Sequence, residues 1–405
     1  MSLLHDCVVW RHRALCRLLF RAQRDAGYAP VVPRSTNAVP HATPHHRTQE
    51  ATVTVPRRAL VTATPIAAVA ASAGAVAQGS TASTIPKVAL EEHVITAPLM
   101  PYLEKAFPPT PRDAHDTIIR RLSDFGDERL AAMDEAGVAI SVLSISGPGV
   151  QIEPDARLAT RLASGANDTL AREIAKRPIR YAGFAHLAMQ DPATAADELE
   201  RCVTKLGFKG ALVNGHTNGV YLDDPRHDVF WERLQALDVP LYLHPGDSFR
   251  MPFVLEGFPE LQKPVWEWTT ETSSHALRLI VSGVFDRFPR AQVILGHMGE
   301  AIPYELWRLD SRYAFTETTR RVKRKPSAYV RENFYVTTSG QFADVPLMAA
   351  IGAMGHGRVL FSIDYPYESS EEAARFMAAA PLGDAARRAV AGGNARALLH
   401  LPAAP

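Results

Sequence analysis

Five side chains able to do chemistry stand where apolar runs end. They are Glu91 and His93 in Leu-Glu-Glu-His, His244 in Leu-Tyr-Leu-His-Pro, His297 in Ile-Leu-Gly-His-Met-Gly-Glu, and Asp364 in Leu-Phe-Ser-Ile-Asp-Tyr-Pro. Glu91 and His93 are two apart, so on an extended strand both point one way while Glu92 points toward the opposite face. Imidazoles and carboxylates without a thiolate form the donor set of a mononuclear divalent site. Two of each suit Zn²⁺, Mn²⁺ or Fe²⁺ and disfavour iron–sulfur clusters and Cu(I). The carboxylates largely neutralise such an ion, and an open position takes water or substrate oxygens. Taken singly, each histidine also reads as a hydrogen-bonded core residue, and Asp364 as a turn residue before Tyr365-Pro366. Their joint placement at strand ends favours a site.

The elements that must position them follow from the pattern between Lys87 and the end of the chain. Strands are expected at Val88–Leu90, Ala139–Ser144, Tyr181–Ala185, Ala211–Asn214, Leu241–His244, Val293–His297, Tyr335–Thr338 and Val359–Asp364. Helices are expected at Ile118–Ala136, Asp155–Lys176, Ala193–Leu206, Asp228–Leu237, Ser273–Phe288, Ala301–Arg312, Val345–Ala353 and Glu371–Ala379. Gly punctuates the helix-to-strand turns at Gly137 and Gly207. This alternation predicts an α/β fold, a (β/α)8 TIM barrel forming one catalytic domain over 87–405. A doubly wound sheet is disfavoured, since no Gly-x-Gly-x-x-Gly follows the first strand. The chemistry-bearing residues then fall at strand ends one, five, six and eight, the face where barrel enzymes assemble their sites. The long stretches Pro245–Glu271 and Tyr313–Glu332 read as loops, and the first is a candidate lid or subunit contact.

The remaining polar candidates carry weaker signals. Asn214 can face the mouth or bond the following turn, and His216 reads as a loop histidine. Glu300 either favours a helix N-terminus or reaches back to orient His297. Arg308 and Asp310 read as a surface pair. Cys202, alone in the body, reads as a small buried apolar residue.

The chain of 405 residues has a formal net charge of +1, which argues against a nucleic-acid partner. That average conceals +6 on residues 1–86 and −5 on the rest. The leader holds Cys7 and Cys16 and shows no apolar period, so residues 1–50 are expected to be disordered. Arg57-Arg58, a weakly apolar run and Ala75-Val76-Ala77 have the layout of an export signal over 53–77. Such a pair is similar to a twin-arginine signal, with Leu60 where an aromatic usually stands, and implies an exported, periplasmic protein. A disordered linker in a cytoplasmic protein is the alternative. No stretch reads as a membrane span.

The motifs resemble the amidohydrolase superfamily, in its branch of metal-dependent decarboxylases of the 2,3-dihydroxybenzoate and γ-resorcylate type. The resemblance is carried by Lys87-Val88-Ala89-Leu90-Glu91-Glu92-His93, Gly210 to Gly215, Leu241 to Pro245, Glu271 to Leu279, Leu295 to Glu300 and Phe361 to Pro366. It implies Glu91, His93, His244 and Asp364 as ligands of one divalent ion, Zn or Mn, with no organic cofactor. It implies His297 beside the metal, paired to Glu300, and a homo-oligomer. The implied reaction is decarboxylation of a hydroxylated aromatic acid, with Asp364 as proton donor and His297 polarising a phenol oxygen. Hydrolysis of an ester, lactone or amide on the same scaffold is the alternative. One departure concerns the mouth: Arg-Asn-Pro usually follows the His-Pro of strand five, and here the stretch is Gly246-Asp247-Ser248.

Overall fold

The computed structural model describes residues 85–319 and 322–403. The leader and its reading over 53–77 lie outside them. Eight strand positions follow in order: β1 (Lys87–Val94), β2 (Val138–Ile145), β3 (Tyr181–Gly183, resuming as Ala185–His186), β4 (Ala211–Asn214), β5 (Leu241–His244), β6 (Val293–Leu295), β7 (Phe334–Thr337) and β8 (Val359–Leu360). Each pairs in parallel with its neighbours in sequence. Phe184 donates its N–H to Leu143 O and Ala185 to Gly210 O, so β3 joins the ladders on both sides. Closure comes from the chain just beyond β8. There His93 N–H donates to Tyr365 O and Asp364 N–H to Glu91 O. The predicted (β/α)8 barrel is the observed fold.

Alternation sorts the core into two layers. Val88, Leu90, Val142, Phe184, Leu212, Tyr242, Ile294 and Leu360 pack together inside the ring, with Leu399 from the C-terminal segment. Their neighbours along the strands join the larger cluster beneath the helices. On β1 this alternation slips. Val88 and Leu90 face inward, so strict pleating would send Glu92 in and Glu91 and His93 out. The register against β2 shifts instead, with Ala89 opposite Ser141 but Glu92 opposite Leu143. One extra residue turns Glu91 and His93 into the barrel. Ser362 Oγ accepts from the Leu90 amide at 3.2 Å and the Glu91 amide at 2.6 Å. Glu92 goes the other way, buried beside Arg129, and accepts from Ile363 N–H at 3.2 Å.

Several boundaries differ from the expected ones for identifiable reasons. β6 stops at Leu295 and β8 at Leu360, because Gly296 and Phe361 leave the ladder; Thr338 Oγ1 takes over, accepting from Ser362 N–H at 2.9 Å. The expected helix Ile118–Ala136 is two, Arg112–Ser123 and Asp127–Ala136. Between them the Asp124 carboxylate accepts the amides of Gly126 and Arg129. The expected Ser273–Phe288 begins earlier, as Glu267–Val281, and breaks at Gly283 with φ 81° before Val284–Arg287. The stretch read as a loop at Tyr313–Glu332 contains the helix Pro326–Asn333. Asp310 caps that helix, accepting from Ser327 N–H at 2.9 Å and Oγ–H at 2.6 Å, rather than pairing with Arg308. No helix among the described residues is long and apolar enough to cross a membrane.

Two buried imidazoles hold loops by accepting backbone amides. His186 Nε2 accepts from Val150 and His275 Nε2 from Leu222, both at 3.0 Å. An accepting imidazole is neutral, and burial pushes His186 down to about 4 and His275 to about 3. Unfolded, each titrates near 6.5, so below that pH the unfolded chain binds more protons and folding stability falls. Each histidine contributes about 1.4 kcal/mol per pH unit as pH drops from about 6.5 toward its folded value. Denaturant melts across that window are expected to show the loss, and His186→Gln to remove one histidine's share of the slope. An unaltered slope in that variant would refute the assignment.

Candidate metal centre

The barrel mouth gathers the five expected side chains from separate elements. Glu91 and His93 come from the bulged end of β1, His244 from the last position of β5, and Asp364 from the closing segment after β8. One donor atom from each of these four lies within 4.8 Å of the others. His93 Nε2 is 3.1 Å from Asp364 Oδ1, and His244 Nε2 is 3.2 Å from Glu91 Oε1. His297 stands just outside, its Nε2 3.9 Å from Glu91 Oε1 and 3.7 Å from Asp364 Oδ2.

His297 reaches this place by a route that strand alternation does not supply. Ile294 faces the interior, so His297 would point outward if β6 continued. The backbone turns over instead: His297, Met298 and Glu300 have φ of 50°, 58° and 57°. Asp364 is also left-handed, at φ 79°. Gly296 occupies the inward position, where a Cβ would lie 2.9 Å from Glu91 Oε2 and 3.3 Å from Tyr242 Oη. Glycine there makes room for the carboxylate.

Three buried atoms at the centre have no hydrogen-bond partner: Glu91 Oε1, His93 Nε2 and Asp364 Oδ1. Unpaired buried polar atoms are rare, and these converge on one point. The rest of each side chain is tied down. Glu91 Oε2 accepts from the hydroxyls of Tyr242 and Ser339. His244 Nδ1 is 2.8 Å from Pro245 O, which makes it the protonated nitrogen and leaves Nε2 as a donor pair. The mixed nitrogen and oxygen set fits a divalent cation.

Electrostatics point the same way. Burial pushes the Asp364 carboxyl up, but the adjacent imidazoles of His297 and His93 outweigh it and hold the group well below its ordinary range. Burial likewise raises Glu91, and the nearby imidazoles, His297 foremost, overcome it. Burial lowers His93, yet Asp364 and Glu91 carry it up to about 9. Burial and the charge on His93 push His244 down to about 4. The cluster is thus a pair of buried carboxylates that draws positive charge to itself.

His297 and Glu300 form a second unit. His297 Nδ1 is 2.8 Å from Glu300 Oε1, and Glu300 Oε2 accepts from Thr269 Oγ1 at 2.9 Å. Glu300 orients His297; it does not open the helix Ile302–Tyr313 as a dipole partner. Burial opposes protonation of His297, but Glu300 and Glu91 raise it well above the ordinary histidine value.

A cavity of about 960 Å³ opens above these groups, lined among others by Ser146, Asn214, His216, Trp268, Gln341 and Tyr367. Asn214 faces it with Oδ1 unpartnered, and His216 Nδ1 accepts from Gly219 N–H at 3.1 Å. At the departure in the mouth, Asp247 accepts from Trp268 Nε1–H at 2.8 Å and pairs with Lys263 Nζ at 2.7 Å. Sequence reasoning passed over Tyr242, Ser339, Ser362 and Gly296. Tyr242 had a usable signal, since it lies two before His244 on one strand face; the other three come from turns that no short period marks. Cys202 is buried, as expected.

Replacing His244 with Ala is expected to abolish stoichiometric divalent metal in the purified protein while its circular dichroism stays native. Gly296→Ala is expected to weaken metal retention, because its Cβ displaces Glu91. Full metal occupancy in His244→Ala would place the ion elsewhere.

Comparison with known proteins agrees with this geometry. The family model described as Amidohydrolase matches residues 106–401. A gamma-resorcylate decarboxylase of Polaromonas sp. (strain JS666) is 43% identical over 324 residues, covering 78% of this chain and 98% of the relative. The structure of a 2,6-dihydroxybenzoate decarboxylase complexed with 2,6-dihydroxybenzoate matches with TM-score 0.75 and 42% identity, over 78% of this chain and 99% of that one. A dihydroxybenzoic acid decarboxylase from Polaromonas sp. JS666, with bound manganese and the inhibitor 2-nitroresorcinol, matches with TM-score 0.74 and 43% identity over 79% and 98%. With the family model covering most of the barrel and the relatives matched over nearly their whole length, this chain belongs to the amidohydrolase family.

Proposed function

We propose that this protein is a metal-dependent carboxy-lyase that removes CO₂ from a hydroxylated aromatic carboxylic acid without an organic cofactor. The observation that carries the reading is the convergence of unpartnered Glu91 Oε1, His93 Nε2 and Asp364 Oδ1 beneath a cavity large enough for an aromatic ring. The relatives named above, decarboxylases of dihydroxybenzoates, support the substrate class. Glu91, His93, His244 and Asp364 would hold the ion; manganese in a relative's structure supports Mn²⁺. Bound there, a divalent cation supplies Lewis acidity toward carboxylate and phenol oxygens.

The chain's own residues account for the proton the reaction consumes. An aryl carboxylate becomes an arene and CO₂ when the carbon bearing the carboxylate gains a proton and the electrons of the C–C bond return to the ring. Asp364 is ionised at rest, and His297, held protonated with its Nε2 3.7 Å from Asp364 Oδ2, stores the proton that Asp364 passes on to the ring. Glu300 keeps His297 charged and fixes the orientation of its ring through Nδ1. The imidazoles of His297, His93 and His244 keep Glu91 ionised, while Tyr242 and Ser339 satisfy its Oε2 by donating to it.

Metal-loaded protein incubated with 2,6-dihydroxybenzoate is expected to release CO₂ and form resorcinol, and to leave simple aryl esters and lactones intact. Ester or lactone cleavage without CO₂ release would overturn the reading. His297→Asn is expected to keep fold and metal while turnover falls about 10²-fold or more. Near-normal turnover in that variant would remove His297 from the chemistry.

A further inference from the structure

An ion pair stands in the cavity wall, apart from the metal centre. Asp247 and Lys263 both line the cavity, with Lys263 Nζ 2.7 Å from Asp247 Oδ2. Asp247 Oδ1 accepts from Trp268 Nε1–H at 2.8 Å. The lysine is the more enclosed partner, its side chain 19% exposed against 47% for the aspartate.

The backbone is built to make this contact. Lys263 has φ 55°, a left-handed conformation that a residue with a Cβ keeps only where its surroundings impose it. Buried Glu267 imposes it: Oε2 accepts from Lys263 N–H and Oε1 from Ser248 N–H, both at 3.0 Å. One carboxylate therefore ties the segment after Asp247 to the segment of Lys263. Trp268, next to Glu267 on the helix Glu267–Val281, holds Asp247 from the helix side. A partly exposed ion pair contributes little stability, so the fold alone does not call for this much support.

The pair sets the charge that a ligand meets. Among the described residues, Lys105 and Lys263 are the lysines lining the cavity, and no arginine lines it. Lys105 is exposed, where water and salt screen it. Lys263 is largely covered, which makes it the stronger partner for an anion, but that partner is already taken. Consider an acid anchored at the metal centre by one carboxylate, with a second on its ring. To reach Lys263 it must displace Asp247, which sets two carboxylates against one ammonium. A neutral substituent meets no such cost.

We propose that Asp247 is a specificity-determining residue. By occupying Lys263 it bars ring acids that carry a second anionic group and reserves the cavity for monoanionic acids with neutral substituents. The proposal rests on the reading of the cavity as the seat of an aryl carboxylate, and adds to it the charge that distal substituents must have.

Isothermal titration calorimetry on the full-length, manganese-loaded protein tests it with three ring acids. Salicylate carries one carboxylate; 4-hydroxyisophthalate and 2-hydroxyterephthalate are salicylate with a second carboxylate at different ring positions. The readout is the ratio of dissociation constants, dicarboxylate over salicylate, expected to be about tenfold or more for both in the wild-type protein. Asp247→Asn keeps the side chain's shape and its acceptor for Trp268 while releasing Lys263. In that variant the ratio is expected to fall about tenfold or more for at least one isomer. The double variant Asp247→Asn, Lys263→Met is expected to restore the wild-type ratio, because the freed ammonium is gone. A wild-type ratio near one, an unmoved ratio in Asp247→Asn, or a fall that persists in the double variant would each overturn the assignment of Asp247 and leave the aryl-acid reading standing. Salicylate that does not bind the wild-type protein would remove that reading, and this proposal with it.

Discussion

The carboxylate of Glu91 is fully buried, yet it must stay ionised, and the barrel mouth is arranged around that demand. Removing a carboxylate from water is costly unless its oxygens are satisfied. One oxygen receives hydroxyl hydrogens from Tyr242 and Ser339. The other faces His93, His244 and His297 at 3.2–3.9 Å with no geometrically sound hydrogen bond. This division lets one end of a side chain serve the fold and the other a cation. It also explains why distant elements are coupled here. Tyr242 belongs to β5, Ser339 follows β7, and Ser362, which holds the Glu91 amide, follows β8.

The arrangement is held by backbone geometry that a free chain would avoid. His297, Met298, Glu300 and Asp364 all sit at positive φ without being glycine. Each such residue costs on the order of 1–3 kcal/mol, sustained only where surroundings over-determine it. Those surroundings can be named. His297 N–H donates to Ser339 Oγ at 3.2 Å, Asp364 N–H to Glu91 O at 3.0 Å, and the His297 ring is clamped to Glu300. Strain and site coincide because regular strands cannot aim side chains from β6 and β8 at the carboxylate on β1.

This is also where the sequence was hardest to read. The barrel was legible because eight apolar runs alternate with amphipathic segments, and burial enforces both periods. The four donor residues were legible because each ends such a run. Their orientation was not. Alternation taken from Glu91 and His93 alone gives the correct inward direction, but taken from Val88 and Leu90 it gives the opposite one. The bulge that reconciles them depends on Ser362, more than 250 residues away, and leaves no local mark. His297 was likewise placed in the mouth by its strand-end position, whereas a left-handed turn puts it there. Helix breaks at Asp124 and Gly283 were missed for a simpler reason: the apolar spacing continues across both.

The mouth departs from the family pattern, and that departure shifts where an anionic substrate must be held. Gly246 brings no side chain, and a Cβ there would lie 3.1 Å from Asn214 O, so the backbone is packed closely at that point. Asp247 adds a carboxylate that neutralises Lys263 and bonds Trp268. Lys105, exposed at the rim, is the other lysine lining the cavity. Among the described residues no guanidinium lines the wall, and positive charge gathers at the floor, around Glu91 and Asp364. An acid drawn to that floor must turn its ring outward, toward Trp268, Trp266 and Tyr304. The aromatic faces of Trp268, Trp266 and Tyr304 thus line the part of the cavity away from that floor.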